Sequence, residues 1–131
     1  MSKKIKGLPL NFEFINKILD EMKDLGNLKG VMLSYQDGRL IAENFGECSK
    51  NNEFVAMCAS VLESAKGLGH NIGVNQLSSL RVVAELERKT ILLVKCNKEM
   101  FLNFIFDNEF NIDAVLNKLT EYNQKILAIF K

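Results

Sequence analysis

The dipeptide Asp37-Gly38 constrains this chain most, because it separates two runs rich in β-branched and large apolar residues, within residues 29–45 (KGVMLSYQDGRLIAENF). This pattern predicts a β-hairpin with a two-residue type I′ turn, whose central residues both have positive φ. Glycine takes positive φ freely, and aspartate tolerates it better than most residues. With Gln36 opposite Arg39, the predicted cross-strand pairs are Tyr35/Leu40, Ser34/Ile41, Leu33/Ala42, Met32/Glu43 and Val31/Asn44.

Both faces of this hairpin carry large apolar side chains, such as Leu33 and Tyr35 on one face and Met32 and Ile41 on the other. Neither face can be left fully in water. The sequence therefore predicts a sheet that is covered on both sides.

Amphipathic helices are predicted near both ends of the chain. The first follows Pro9, has Asn11 as its N-cap and runs towards Leu25. The last is capped at Asn111 and ends close to the C-terminus. Their apolar residues recur at spacings of three and four, which is typical of a helix with one buried side: Phe14, Ile15, Ile18, Leu19, Met22 and Leu25 in the first helix, and Val115, Leu116, Leu119, Tyr122, Ile126 and Leu127 in the last.

A middle helix is predicted to begin at Asn51 or Asn52 and to end at Gly67, in a glycine-rich connection. One side of this helix is apolar, and its members are Phe54, Val55, Cys58, Val61, Leu62 and Ala65. The opposite side is unusual, because an ordinary solvated face would carry several charges. It carries small residues around one carboxylate, namely Ala56, Ala59, Ser60 and Glu63. Small residues at this spacing allow a second helix to approach closely.

Three further strands are predicted after the middle helix. Residues 79–86 alternate between apolar and polar side chains, which indicates a strand with one wetter face. Residues 90–96 (TILLVKC) contain four consecutive large aliphatic residues, typical of a strand buried on both faces. Residues 100–106 (MFLNFIF) form the fifth strand. The predicted fold is α/β, a three-layer α-β-α sandwich with a five-stranded antiparallel sheet and the order α-β-β-α-β-β-β-α.

Length and charge exclude several classes of protein. With 131 residues, the chain is expected to form one domain over residues 1–131, with its core at about 11–130. A net charge of +1 gives no electrostatic basis for a nucleic acid partner. No apolar run approaches the roughly 20 residues of a bilayer span, and the start lacks the apolar region of a signal peptide. We therefore expect a cytoplasmic protein without membrane insertion.

The sequence offers no constellation for catalysis or metal binding. Cys48, Cys58 and Cys96 contain no CxxC pair, and His70 is the single histidine. An enzyme using Cys58 or His70 is disfavoured, because no partner group can be placed beside either one. The glycines around His70 do not have the spacing of a dinucleotide-binding loop. We predict no catalytic, cofactor-binding or metal-binding residue.

The order of these motifs resembles the Roadblock/LC7 family. The resemblance covers residues from about Asn11 to Tyr122. The features that match the Roadblock/LC7 family are a strand entered through glycine (residues 30–34), the Asp37-Gly38 turn followed by residues 40–42, the small-residue helix at residues 56–60, a strand ending at residues 83–85, an aliphatic strand at residues 91–94, and Asn111-Ile112 at the start of the last helix. Profilin-like and longin domains share a related layout.

The resemblance implies binding rather than chemistry. Roadblock/LC7 domains form homodimers or heterodimers in which the middle helices pack together and the third strands pair edge to edge. The corresponding interface residues here are Ala56, Ala59, Ser60 and Glu63 on the helix and residues 78–85 on the strand, with Ser79, Arg81 and Val83 among them.

Family members scaffold or regulate small Ras-like GTPases, and some link motors to cargo as light chains. The resemblance therefore implies a dimer, with itself or with a paralogue, that binds such a GTPase without an active site of its own. None of Arg39, Arg81 and Arg88 stands out on a long loop from which it could reach a partner's transition state. The main alternative is a profilin-like small-molecule sensor, which would need an apolar cavity with a few convergent polar groups. A general protein-interaction scaffold of the motor light-chain type is a further alternative.

Overall fold

The computed structural model describes residues 8–26, 28–45, 51–76, 79–107 and 112–130. All strand pairs are antiparallel, and the sheet order is β2-β1-β5-β4-β3. The predicted order of elements is confirmed: α1 (Leu8–Gly26), β1 (Gly30–Tyr35), β2 (Leu40–Asn44), α2 (Asn51–Asn71), β3 (Arg81–Glu85), β4 (Thr90–Lys95), β5 (Met100–Phe106) and α3 (Ile112–Ile129).

Two apolar layers cover the sheet, as the sequence predicts. The terminal helices α1 and α3 share one face, and α2 lies alone on the other. The α1–α3 layer is built mainly from Ile15, Ile18, Leu19 and Met22 of α1, Val115, Leu119, Tyr122 and Ile126 of α3, and Val31, Leu33, Leu92, Val94, Leu102, Phe104 and Phe106 of the sheet. The α2 layer contains Val55, Cys58, Ala59 and Leu62 against Met32, Leu93, Phe101 and Ile105.

Helix α1 differs from the prediction at its start and at its edges. It begins at Leu8 rather than at an Asn11 cap. Pro9 is tolerated in the first turn, where its missing N–H would have no intrahelical partner. Phe14 and Leu25 are exposed, because both lie at the margin of the narrower stripe that contacts the sheet. Asn111, the predicted cap of α3, lies outside the described residues.

The hairpin register is confirmed along the strands and is wrong at the tip. Val31, Met32 and Leu33 pair as predicted, but Ser34 pairs with Leu40 because a bulge interrupts β2. The Tyr35 N–H donates to the Arg39 carbonyl oxygen at 2.8 Å, and the Gly38 N–H donates to the Tyr35 carbonyl oxygen at 3.0 Å. The loop therefore has three residues, and Gly38, with φ of 99°, provides the left-handed position.

Helix α2 extends past the predicted end at Gly67 and includes His70 in its last turn. It ends in a Schellman motif, in which the Val74 N–H donates to the Gly69 carbonyl oxygen and the Gly73 N–H donates to that of His70. Gly73 has φ of 90°, as this motif requires. The glycine that terminates α2 is therefore Gly73, the last of the run, rather than Gly67, the first.

The α2 layer also encloses two polar side chains that have no hydrogen-bond partner among the described residues. Asn103 lies between Phe101 and Ile105 on the face of β5 that α2 covers, and it is fully buried. No described group bonds its amide, and the Ser34 hydroxyl, also fully buried, is equally without a partner. Ser34 pairs with Phe101, so Ser34 and Asn103 are diagonal neighbours with Cα atoms about 7–8 Å apart.

Candidate functional site

The outward side of α2 is almost free of charge. Between Phe54 and Leu68 it carries one exposed carboxylate, Glu63, whose Oε1 lies 3.2 Å from the half-buried Lys66 Nζ. Exposed apolar residues dominate instead: Met57 is 64% exposed and Leu68 67%. We refer to the outward side of α2 and the outer edge of β3 as the α2–β3 surface: Met57, Ser60, Val61, Glu63, Ser64 and Leu68 with Arg81, Val83 and Glu85.

The predicted orientation of α2 about its own axis is wrong, because Ala59 and Val61 exchange their expected sides. Ala59, placed by prediction on the outward face, is only 8% exposed and belongs to the core, whereas Val61, predicted to be buried, is 45% exposed. The hairpin tip explains the rotation. A Cβ built on Gly38 would lie 3.9 Å from the Ala59 Cβ, and Lys66 Nζ donates to the Gln36 side chain at 3.3 Å. The small residues on this side thus accommodate the hairpin of the same chain.

The other predicted helix positions lie on or beside the outward side. Ser60 is exposed, and its hydroxyl donates to the Ala56 carbonyl oxygen at 3.3 Å. Ala56 is exposed too, although its Cα lies close to Gly38. Sequence reasoning missed Met57 and Leu68, although apolar residues in a stretch with a single carboxylate were a usable signal.

Strand β3 forms one edge of the sheet, and in the described part of the chain no other strand pairs with its outer side. The Leu86 N–H donates to the Lys89 carbonyl oxygen, and the Lys95 N–H donates to that of Leu80. Bonding alternates along an antiparallel pair, so even-numbered residues face β4 and the N–H groups of Arg81, Val83 and Glu85 point away from it. Their side chains are exposed, whereas those of Val82 and Ala84 are half-buried beneath α2.

The remaining predicted strand positions lie before the strand itself. Ser79 is exposed and precedes the first paired residue, Arg81. Ser78 lies outside the described residues.

An apolar groove separates α2 from β3 and β4. Its volume is about 200 Å³, and no polar atom contributes to its lining. The lining residues are Phe54, Met57, Cys58 and Val61 on α2, and Val82, Ala84, Ile91 and Leu93 on the sheet. Leu93 pairs directly with Asn103, so the unbonded amide lies one strand further in from the groove floor.

The two described cysteines are poor nucleophiles. Burial raises the pKa of the Cys58 thiol to about 11 and that of Cys96 to about 12, so both are protonated at neutral pH. Cys96 Sγ also lies 3.3 Å from the Asn123 side-chain oxygen. Cys48 lies outside the described residues.

The histidine, the acidic side chains and the helices of the described chain also form no recognisable catalytic, metal-binding or membrane-spanning feature. His70 is exposed in the last turn of α2. The described residues contain no group of three or more His, Cys, Asp or Glu side chains placed to hold a metal ion. None of the described helices combines the length and the apolar composition needed to cross a bilayer.

Comparison with solved structures relates this fold to known proteins. MglB from Myxococcus xanthus has a TM-score of 0.80 at 22% identity, with 91% of this chain and 96% of that chain covered. An MglB with a tetrameric arrangement has a TM-score of 0.81 at 15% identity, with 91% and 89% covered. Profilin IA from Acanthamoeba castellanii has a TM-score of 0.59 at 11% identity, with 89% and 96% covered. At these identities the likeness concerns the fold.

The family can be assigned from the sequence, whereas the structural likeness shows only the fold. No curated protein matches the chain at a significant level. The family model of the Roadblock/LC7 domain matches residues 14–106, which run from α1 to the end of β5 and include all of the α2–β3 surface. The chain therefore belongs to the Roadblock/LC7 domain family.

Proposed function

We propose that this chain is a dimeric, non-enzymatic interaction module that binds a small Ras-like GTPase and regulates or scaffolds it. The dimer forms between two copies, or with a paralogue, through the α2–β3 surface. Membership of the Roadblock/LC7 family and the structural likeness to MglB support the proposal. A tetrameric arrangement described for one MglB supports self-association of this fold.

The observation that carries the proposal is a sparsely charged, partly apolar helix face beside an open strand edge. Exposed apolar groups that form a contiguous patch mark interaction sites in soluble proteins. Met57 and Val61 also line the apolar groove beside β3, so burial against a second copy would continue from helix to strand. A stable interface typically buries roughly 1,200–2,000 Å² in total, so the helix face and the strand edge would have to be buried together.

Ser60→Arg tests the dimer. Ser60 is exposed at the centre of the outward side of α2, so an arginine there leaves the protomer core intact and places a charge in the interface. We expect a dimer for the wild type and a monomer for Ser60→Arg by size exclusion with light scattering. Thr120→Arg, on the exposed side of α3, is the matched control and stays dimeric. A wild-type monomer at micromolar concentration, or a dimer of unchanged mass for Ser60→Arg, contradicts the proposal.

Nucleotide-dependent capture tests the GTPase. The immobilised wild-type protein is mixed with Ras-like GTPases of the same genome, loaded with GDP or with a GTP analogue. We expect one nucleotide state to be retained and Ser60→Arg to lose that retention. Equal retention of both states, or none, contradicts regulation by this dimer.

We expect any stimulation of GTP hydrolysis to arise from repositioning of the partner's own loops. Arg39 is already engaged, because its Nε lies 2.8 Å from Asp37 Oδ2 and its guanidinium covers the Tyr35 ring at 4.5 Å. Single alanine variants of Arg39, Arg81 and Arg88 should retain most stimulation in assays at dimer-saturating concentration. If one of these variants loses most of the stimulation, that arginine instead acts directly in the active site of the partner GTPase.

A second candidate function, binding of a small neutral apolar molecule, is favoured by the groove. The groove accepts an apolar body, and the fully buried Asn103 amide lies behind Leu93 and does not line it. A charged head group is disfavoured, because burying a charge without a counter-charge is costly.

Hexanamide and hexanoate distinguish this candidate when titrated by NMR into Ser60→Arg, in which the groove stays accessible. We expect saturable shifts at Leu93 and Asn103 with hexanamide and about tenfold weaker binding of hexanoate. Ala84→Phe fills the groove and abolishes the shifts, whereas Val83→Phe, on the opposite face of β3, preserves them. Equal effects of both ligands, or of both variants, exclude this function.

A further inference from the structure

The buried side-chain polar atoms that lack a hydrogen bond all lie on one side of the sheet. Among the described residues they are the Asn103 amide nitrogen and oxygen, the Ser34 hydroxyl and the Asn51 side-chain oxygen. Asn103 and Ser34 lie on the face that α2 covers, and Asn51 is the first residue of α2 itself. No such atom occurs in the described part of the α1–α3 layer. The free-energy cost of burying unbonded polar groups therefore falls on the α2 layer alone.

The apolar contacts that hold α2 are also fewer than those of the other two helices. The buried apolar residues of α2 are Val55, Cys58, Ala59 and Leu62, and two of these side chains are small. Helices α1 and α3 each bury four apolar side chains as well, but they also pack against each other. In the described chain no second helix lies beside α2, and the apolar groove of about 200 Å³ leaves one of its sides incompletely packed.

The second half of α2 adds little to its attachment. Leu62 is the last buried residue of the helix, and residues 63–71 are all half-buried or exposed. Gly67 and Gly69 lie within this half and lower its intrinsic helix propensity. The contact of Lys66 Nζ with the Gln36 side chain, at 3.3 Å, is a polar link between this half and the hairpin.

We propose that α2 opens from the sheet as a separate cooperative unit, while the sheet, α1 and α3 stay folded. In the open state Asn103 and Ser34 bond to water and recover the hydrogen bonds that they lack in the closed state. The contacts of α1 and α3 are kept, since these helices lie on the other face of the sheet. The unbonded polar groups beneath α2 thus set how often it opens.

The opening connects the inside of the protomer with its outer surface. The outward side of α2 forms most of the α2–β3 surface, so anything that binds this surface with α2 closed suppresses the opening by mass action. Because the opening belongs to the single protomer, the inference does not depend on the proposed dimer. It assigns to α2 a closing step that a partner can drive.

Native-state hydrogen exchange over a series of low urea concentrations tests the opening. The measurement uses Ser60→Arg, so that no second copy covers α2, or the wild type if that is monomeric. A helix of this length with two glycines is marginal in water on its own, so its amides exchange when it opens. We expect α2 amides to exchange faster than the slowest amides of β1 and β5, with less than about half of their urea dependence, because less surface is exposed.

Two matched variants separate local opening from global unfolding. Val55 of α2 and Val115 of α3 are both fully buried valines on helices, one in each layer. Val55→Ala should accelerate α2 exchange about tenfold or more. Val115→Ala should accelerate the slowest amides of β1 and β5 but leave α2 exchange within about twofold, because its layer stays intact in the open state. Asn103→Leu should slow α2 exchange about tenfold, since it removes the unbonded amide.

Three results would contradict the inference. Equal rates and urea dependence for α2 and β5 amides would show that α2 opens only when the whole domain unfolds. Equal acceleration of α2 by both valine variants would show the same. Unchanged α2 exchange in Asn103→Leu would show that the unbonded amide does not set the opening. Circular dichroism verifies that the variants are folded, and the urea series on the parent protein decides the first point without them.

Discussion

Gly38 at the tip of the β1–β2 hairpin lies against Ala56 of α2, so closely that a Cβ built on the glycine would be 3.2 Å from the Ala56 Cα. The same glycine has φ of 99°, which L-residues rarely adopt. The hairpin tip is thus fitted to the backbone of α2, on the other face of the sheet from α1 and α3.

Gly38→Ala should destabilise the protein by about 1–2 kcal/mol, because positive φ and the approach to α2 both oppose a side chain. Urea unfolding of the Ser60→Arg background measures this without a contribution from dimerisation. Gly67→Ala is the control of opposite sign. Gly67 lies inside α2 with open space where a Cβ would be, so the change should stabilise by about 0.5–1 kcal/mol. A neutral Gly38→Ala would show that the hairpin tip is not constrained by the helix.

Val83→Pro should abolish dimerisation without unfolding the protomer. Proline removes the outward N–H of Val83, which bonds nothing within the described chain, and edge strands tolerate proline. Val82→Pro is the comparison, because the Val82 N–H faces β4 and its loss should lower the melting temperature. Light scattering and circular dichroism together test the pair. Dimers that persist in folded Val83→Pro would show that β3 does not pair between copies.

Asn103→Leu should stabilise the unliganded protein by about 1–3 kcal/mol. The amide is fully buried without a hydrogen bond, and a leucine of similar shape removes that desolvation cost while adding to the α2 layer. Denaturant midpoints of the wild type and the variant measure the difference. A large destabilisation would indicate that ordered water or another group satisfies the amide in solution.

Stability should fall at alkaline pH through the buried thiols. Burial raises the pKa of Cys58 and Cys96 from 9.0 to about 11 and about 12, so the unfolded chain loses these protons first. Their contribution is fully present below about pH 9 and is lost as the pH rises through the folded-state values. The Cys58→Ala/Cys96→Ala variant should show a flatter decline of the free energy of unfolding above pH 9. Identical slopes for both proteins would contradict the burial of these thiols.

Local patterns predicted the order of the elements well. The hairpin register at Val31, Met32 and Leu33 follows from strand alternation, and four consecutive aliphatic residues are typical of a central strand, which β4 is. The tip was wrong because type I′ and bulged three-residue loops both use a glycine with positive φ. In the structure the pairing of Ser34 with Leu40 distinguishes them, because it shows the extra residue of the bulge.

The errors on α2 have a common cause in tertiary contacts. A helical wheel cannot tell that the hairpin occupies the Ala59 side, so Ala59 was placed outward and Val61 inward. The sequence predicts a helix end at Gly67, but the helix stops where a glycine adopts positive φ, which is Gly73. The α2–β3 surface could be named as a candidate from the sequence, because its low charge is a property of the sequence, and its role as an interface stays a prediction.

The sheet order has a consequence for biosynthesis. β5 is the last strand to leave the ribosome, yet it occupies the centre of the sheet and pairs with both β1 and β4. Until it emerges, the N-terminal hairpin and the β3–β4 hairpin have no common partner, and the α2 layer lacks Phe101 and Ile105. Assembly of the five-stranded sheet must therefore await translation of β5, and the β1–β5 ladder, which joins residues some 70 positions apart, is expected to set its rate.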